Sequence, residues 1–139
     1  MLPALAVAAL APYTGALAVF YLYLSMRTAN FRRRERIGIG YGEHAALERS
    51  ARAHANFIEY VPFCLLILLM GGLLGVTALM LHALGLALLV GRVLHAYGIL
   101  VAEPRSQNYL FRAGGMLLTL GSIGAGAALL LWQWTGISL

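Results

Sequence analysis

The sequence predicts an all-α integral membrane protein, built as a bundle of four transmembrane helices. Apolar residues make up 61% of the 139 residues, charged residues make up only 11%, and the mean hydropathy is +0.81. A soluble domain of this size cannot bury so large an apolar fraction, and soluble chains carry about 25% charged residues. Four separate apolar stretches are long enough to cross a hydrocarbon core, which takes about 20 helical residues each.

We place the four spans at residues 3–26, 53–73, 76–101 and 110–134, and we treat them as a single domain. The first stretch lacks the basic start of a signal peptide, and its apolar run is longer than the apolar region of such a peptide. We therefore expect the first span to remain in the mature protein.

The distribution of arginine predicts how the bundle is oriented. The ten Lys+Arg positions contain no lysine. The first loop holds Arg27, Arg32, Arg33, Arg34, Arg36, Arg49 and Arg52. The turn after the second span holds no charge, and the third loop holds Arg105, with Arg112 just beyond. The positive-inside rule then makes the first and third loops cytoplasmic and puts both termini on the non-cytoplasmic side, with Trp132 and Trp134 at the outer interface. No nucleic-acid partner is expected.

Small residues within the spans predict close contacts between helices. The 16 glycines fall largely in the spans, and the fourth span contains Gly114, Gly115, Gly121, Gly124 and Gly126. Small side chains let helix backbones approach where lipid provides no hydrophobic drive. Cys64, the single cysteine, lies in an apolar run, so we expect a buried packing residue.

A polar stripe runs from the first loop into the second span. At about 100° per residue, five side chains share roughly one third of a helix circumference. These are Glu48, Arg49, Arg52, Asn56 and Glu59. His54 points to the opposite side, so we expect it to contact a neighbouring helix or subunit.

Arg92 lies within the apolar run of the third span, with His95 one turn later on nearly the same face. An arginine at mid-helix costs about 3 kcal/mol on insertion scales, so it should face the interior and find a partner. Glu59, the only acid in any predicted span, is the candidate partner. Such a pair could serve helix packing alone or belong to a functional site.

The remaining charges converge at the cytoplasmic end of the bundle, where arginines outnumber Glu48, Glu59 and Glu103. This predicts an electropositive pocket. Guanidinium groups bind carboxylates and phosphates through paired hydrogen bonds, so an anionic ligand suits such a pocket. The alternative is an interfacial basic belt that contacts lipid headgroups without any pocket.

The third loop, from Glu103 to Tyr109, is short and polar. If the fourth helix starts near Pro104, Arg105 and Tyr109 lie one helical turn apart. Ser106 adds a hydroxyl beside Arg105. A guanidinium next to a hydroxyl donor stabilises a thiolate or oxyanion and lowers a thiol pKa from about 8.5. More commonly, an arginine next to a serine in a loop is only a surface charge beside a residue that caps a helix.

A set of polar positions across the second and third spans and the third loop carries a family resemblance. These positions are Glu48, Arg49, Arg52, His54, Asn56, Glu59, Pro62, Gly91, Arg92, His95, Arg105, Ser106 and Tyr109. Together with the four-helix layout and the basic first loop, they resemble the MAPEG family, the membrane-associated proteins in eicosanoid and glutathione metabolism. The stretch from Arg52 to Pro62 is most similar to the bacterial branch, which implies a bacterial inner membrane.

The resemblance implies a homotrimer with an active site between adjacent protomers, open to the cytoplasm and to the bilayer. It implies glutathione as co-substrate and no metal. The implied glutathione site consists of Arg52, Asn56, Glu59, Arg92, His95 and Tyr109. Arg105 and Ser106 are the implied catalytic pair that stabilises the thiolate. Ala55 stands where the prostaglandin-synthase and microsomal transferase members place an arginine, so one anion contact of those enzymes is missing here.

Three classes of function are compatible with these features. The first is a glutathione transferase-like enzyme that activates the thiol for attack on a lipophilic electrophile or hydroperoxide. The second is a non-enzymatic membrane protein of the same fold, whose basic cleft holds an anionic lipid headgroup or another anion. The third, a small multidrug transporter, ranks last because such transporters place an acid in the first span, and here no charged residue precedes Arg27.

Overall fold

The computed structural model describes residues 3–136, and over that range the chain forms helices and no strand. The elements are α1 (Pro3–Ala8), α2 (Ala11–Glu35), α3 (Ala45–Leu73), α4 (Ala78–Tyr97), a π-helical segment (Gly98–Ala102), α5 (Glu103–Ser106) and α6 (Leu110–Thr135). Four stretches are long and apolar enough to cross a membrane, which confirms the predicted all-α membrane fold. Residues 1–2 and 137–139, the chain ends themselves, lie outside the described residues, and the side that the termini face stays a prediction.

Two helices extend well beyond the membrane core at the arginine-rich end. α2 continues to Glu35 and α3 begins at Ala45, so Arg32, Arg33 and Arg34 form the last turn of a helix and not part of a loop. The 29 residues of α3 span roughly 43 Å, against roughly 30 Å of hydrocarbon. Hydropathy locates only the apolar part of such a helix, and arginines near a helix C-terminus stabilise its free carbonyls. The connecting loop is therefore residues 36–44, shorter than predicted.

Arg32 holds this loop against the end of α2. Its Nη1 donates to the carbonyl oxygens of Gly40 at 2.9 Å and Gly38 at 3.3 Å, with a longer contact to Ile37 at 3.5 Å. The loop leaves the helix through Arg36, whose φ of 56° is left-handed. One guanidinium thus satisfies several carbonyls that the loop leaves free.

Arg32→Ala is expected to loosen the loop without unfolding the bundle. Loss of these hydrogen bonds should lower the free energy of unfolding by about 1 kcal/mol and speed amide exchange across residues 37–43. Hydrogen exchange followed by mass spectrometry measures this. Arg33→Ala is the matched control, because Arg33 is exposed on the same turn of α2. Equal exchange rates in the two variants would show that Arg32 does not hold the loop.

Glycines set the closest approach of α4 to α6. A Cβ on Gly115 would lie 2.5 Å from the carbonyl oxygen of Gly91 and 2.5 Å from the nitrogen of His95. A Cβ on Gly98 would lie 2.6 Å from the backbone nitrogen of Arg112. Gly126 meets side chains of α3, 3.0 Å from Ile67. The expectation of close helix contacts is confirmed at these positions.

Three other glycines of α6 do not follow that expectation. A Cβ on Gly114, Gly121 or Gly124 would meet nothing within 4 Å. The reason is their direction: these positions face away from α3 and α4. Small size alone does not reveal which side of a helix a glycine occupies.

Polar side chains join α2 to α3. Ser25 Oγ and His54 Nε2 lie 2.9 Å apart, and the His54 ring stacks on Tyr21 with centroids 5.4 Å apart. Thr28 and Ser50 share a buried hydroxyl hydrogen bond of 3.0 Å. The expectation that His54 contacts a neighbouring helix is confirmed.

The core of the bundle lies along one face of α3. Phe57, Cys64 and Leu68 are buried there at helical spacing, and Cys64 is fully buried as predicted. At the far end of α6, Trp132 and Trp134 are largely exposed. Aromatic side chains in such positions suit a membrane interface.

Candidate functional site

A cleft of about 500 Å³ opens at the arginine-rich end of the bundle. One wall is α3, and the opposite wall is formed by the end of α4, the segments that continue it, and α6. The lining residues are Glu48, Arg49, Arg52, Asn56, His95, Ile99, Glu103, Arg112 and Met116. Three arginines face two glutamates, so the lining is net positive.

The α3 wall contributes Arg49, Arg52 and Asn56, which share one helix face because residues three and four positions apart are neighbours. Arg52 Nε lies 3.9 Å from the carboxylate of Glu48, with the side chains 68% and 50% exposed. Water screens so exposed a pair, and its energy is small. The Arg52 guanidinium therefore remains able to bind a ligand anion.

Arg92 lies directly behind this wall, with a side chain that is only 1% exposed. Its Nη2 donates to Asn56 Oδ1 at 2.8 Å, and its Nη1 donates to Thr119 Oγ1 at 3.4 Å. The guanidinium also lies over the Tyr60 ring, 5.8 Å from the centroid. The Thr119 hydroxyl in turn donates to the carbonyl of Gly115 at 2.9 Å. Arg92 thus ties α3, α4 and α6 together and positions Asn56 at the cleft.

The predicted ion pair between Glu59 and Arg92 was wrong. Glu59 is exposed, and its carboxylate makes no ion pair with Arg92 among the ion pairs of residues 3–136. The amide oxygen of Asn56, one turn closer to the first loop, takes the place of the carboxylate. This arrangement avoids desolvating a second charge, which costs several kcal/mol in a protein interior. Glu59 is also absent from the lining of the cleft.

His95 lines the cleft one turn after Arg92 and is 3% exposed. Its Nδ1 is buried and has no hydrogen-bond partner within the described part of the chain. The π-helical segment follows three residues later, and such segments occur frequently at functional sites. Ile99 within this segment and Glu103 directly after it both line the cleft.

Arg105, Ser106 and Tyr109 do not line the cleft. All three are exposed. The Ser106 hydroxyl donates to the carbonyl of Ala102 at 3.0 Å, as a side chain does at the end of a short helix. The structure therefore brings together Arg52, Asn56 and His95 of the predicted site, with Arg92 behind them, and separates Arg105, Ser106 and Tyr109 from them.

Arg105 and Tyr109 would lie one helical turn apart only if the fourth helix started near Pro104, and the structure does not meet that condition. Gln107 adopts a left-handed conformation with φ of 51° and ends α5 after four residues. The next long helix, α6, begins at Leu110, whose backbone N–H donates to Asn108 Oδ1 at 3.0 Å. The break separates Arg105 from Tyr109, so they do not share one helix face.

Arg112 also lines the cleft, although its place in the sequence predicted a role only in membrane orientation. Its Nη1 donates to Glu103 Oε2 at 3.1 Å, across the connection between α5 and α6. One signal in the sequence points to it: Arg112 falls inside the predicted fourth span, at residues 110–134. Like Arg92, Arg112 is an arginine within a span and therefore needs a partner.

Comparison with known proteins agrees with this architecture. Over 102 residues the chain is 31% identical to the inner membrane protein YecN of Escherichia coli strain K12, a match that covers 73% of this chain and 74% of the relative. The inner membrane protein YecN of Escherichia coli O6:H1 matches with the same identity and coverage. Residues 10–132 match the model of the MAPEG family, a range that covers most of the first and fourth spans, all of the second and third, and both walls of the cleft. This integral membrane protein therefore belongs to the MAPEG family.

Proposed function

We propose that the chain is a glutathione transferase-like membrane enzyme, which activates the glutathione thiol for attack on a lipophilic electrophile or hydroperoxide. The observation that carries the proposal is the cleft, where Arg49 and Arg52 on one wall and Arg112 on the other surround Asn56 and His95. Glutathione carries two carboxylates, and guanidinium groups are the side chains best suited to bind them. Membership of the MAPEG family supports the same ligand.

In the proposed reaction the thiol first loses its proton to water. The thiolate sulfur then forms a bond to the electrophilic carbon, while the leaving group departs with its electron pair. With a hydroperoxide, the thiolate sulfur attacks the terminal oxygen, the O–O bond breaks, and the departing alkoxide takes a proton from water to become the alcohol. The thiol of a second glutathione then attacks the sulfenic acid that has formed, which gives the disulfide and water. Arg105 and Ser106 are assigned to stabilise the thiolate, since an adjacent cation and a hydroxyl donor both favour the charged sulfur.

The assigned pair requires a neighbouring subunit, because Arg105 and Ser106 lie outside the cleft of their own protomer. We assign them, with Tyr109 and Glu59, to the cleft of an adjacent copy in a homotrimer. All four side chains are exposed in the protomer and are available for such a contact. The open space beside Gly121 and Gly124, which are exposed on the outer side of α6, suits close packing of another helix.

We further infer that the protein resides in a bacterial inner membrane with its first and third loops in the cytoplasm. Both E. coli relatives are named inner membrane proteins. The arginines of the first loop, the α3 wall and α5 cluster at the same end of the bundle, as the positive-inside rule expects of cytoplasmic segments. The cleft then faces the cytoplasm, where glutathione is present.

Calorimetry on the detergent-solubilised chain tests the proposal. Glutathione is expected to bind saturably at millimolar concentration, and binding should be lost in Arg105→Ala and weakened about tenfold in Arg92→Ala. Arg33→Ala, which removes an exposed arginine outside the cleft, is the control and should bind as the wild type does. Melting curves of each variant separate lost binding from lost folding. If the wild type shows no heat of binding at millimolar glutathione, the proposed enzymatic function is refuted.

A second candidate function is binding of an anionic lipid headgroup without catalysis. Ile99 and Met116 give the charged cleft an apolar part that suits the start of an acyl chain. Native mass spectrometry distinguishes the two candidates. Copurified phospholipid that glutathione cannot displace would favour the lipid, whereas displacement by glutathione would favour the enzyme.

A further inference from the structure

Glu103 and Arg112 form the shortest ion pair among residues 3–136, within the wall of the cleft. Arg112 Nη1 lies 3.1 Å from Glu103 Oε2, and the side chains are 46% and 14% exposed. The other carboxylate oxygen, Oε1, is buried and has no hydrogen-bond partner in the described part of the chain. The Glu103 carboxylate is therefore held by Arg112 through one oxygen, while its second oxygen is unsatisfied.

A close backbone contact and an aromatic ring hold Arg112 in position. Gly98 allows the π-helical segment to approach so closely that a Cβ there would lie 2.6 Å from the Arg112 nitrogen. The guanidinium also lies over the Tyr109 ring, 5.6 Å from the centroid. These contacts hold Arg112 in the wall opposite Arg49 and Arg52. None of the residues predicted for the site lies in the part of this wall that α6 forms.

We propose that Arg112 is the anion-binding residue of the α6 wall and that Glu103 competes with the ligand for it. This inference rests on the proposed function and extends it. Arg49 and Arg52 bind one carboxylate or phosphate of the ligand, and Arg112 binds a second. The ligand class is thus an anion with two separated acidic groups that bridges the two walls of the cleft.

The energetics favour exchange of one carboxylate for another. A ligand carboxylate can accept two parallel hydrogen bonds from a guanidinium, which is the strongest geometry for this pair of groups. Glu103 Oε1 accepts none. When one carboxylate oxygen has no hydrogen bond, the attraction within the ion pair offsets the desolvation free energy poorly. Arg112 is therefore stabilised more by a carboxylate that accepts two hydrogen bonds.

Two substitutions are expected to change binding in opposite directions. Arg112→Gln removes a charge-assisted contact and should weaken ligand binding about tenfold. Glu103→Gln removes the internal competitor and should tighten binding by about threefold or more. A pair that only supports the fold would lower the melting temperature in both variants and would not move binding in opposite directions.

The experiment measures binding by calorimetry on the full chain in detergent, with two probes. One probe is glutathione, and the other is inorganic pyrophosphate, which has two acidic groups but no thiol. The matched controls are Arg33→Gln and Glu43→Gln, which make the same charge changes at exposed positions outside the cleft and should stay within about twofold of wild type. Each variant's melting temperature is recorded alongside.

The outcomes separate this inference from the proposed function. Opposite shifts in Arg112→Gln and Glu103→Gln with glutathione support both. The same opposite shifts with pyrophosphate, but no glutathione binding in the wild type, support Arg112 as the anion-binding residue and refute glutathione. Unchanged glutathione affinity in both variants overturns the role of Arg112 and leaves the proposed function standing. A wild type that binds neither probe overturns both.

Discussion

Gly115→Ala is expected to prevent α4 and α6 from packing at their native distance and to destabilise the bundle by about 3 kcal/mol or more. The added Cβ would lie 2.5 Å from two backbone atoms, the oxygen of Gly91 and the nitrogen of His95. A side chain can rotate out of such a clash, but these backbone atoms belong to a helix and can move only if the helix moves. Thermal unfolding in detergent and the yield of monodisperse protein measure the effect.

The matched control is the neighbouring residue on the same helix. A Cβ on Gly114 would meet nothing within 4 Å, so Gly114→Ala makes the same chemical change in open space. Helix propensity favours alanine over glycine by about 1 kcal/mol, so the control should melt at or slightly above the wild-type temperature. If Gly115→Ala melts within a degree of Gly114→Ala, the close α4–α6 contact is not a determinant of stability.

Asn56→Leu is expected to cost about 3 kcal/mol, because it leaves the buried Arg92 guanidinium without its shortest hydrogen bond. The remaining bond to Thr119 is long, at 3.4 Å, and the Arg92 Nε already lacks a partner among the described residues. Unfolding in detergent, followed by circular dichroism, measures the loss. The exposed Asn30→Leu on α2 is the control and should change stability by less than about 0.5 kcal/mol.

A double variant tests the reason for this loss. When Arg92→Met accompanies Asn56→Leu, both polar partners are replaced by apolar side chains, and most of the lost stability should return. Glutathione binding should not return, because Asn56 belongs to the cleft and Arg92 positions it. A double variant as unstable as Asn56→Leu alone would show that helix packing at this site, and not the unpaired charge, causes the loss.

Much of the cleft was predictable from spacing along one helix. Arg49, Arg52 and Asn56 share a face because of the helical repeat, and the structure places them on one wall. Pairing between helices was less predictable. The cost of a buried charge correctly indicated that Arg92 needs a partner, but it did not distinguish the carboxylate of Glu59 from the amide of Asn56. Asn56 and Glu59 lie one turn apart on α3, and only the directions of their side chains decide which of them meets Arg92.

By itself, the sequence determined the four-helix membrane fold and the arginine-rich end, because transfer between water and lipid depends on the composition of each stretch. Only the tertiary structure decided the partner of Arg92, the place of Arg112 and the break at Gln107. Hydrogen bonds between helices depend on side-chain directions and on distances of a few ångströms, and a single left-handed residue redirects the chain. The periodicity of one helix encodes neither the hydrogen bonds between helices nor the left-handed residue, and both shape the cleft.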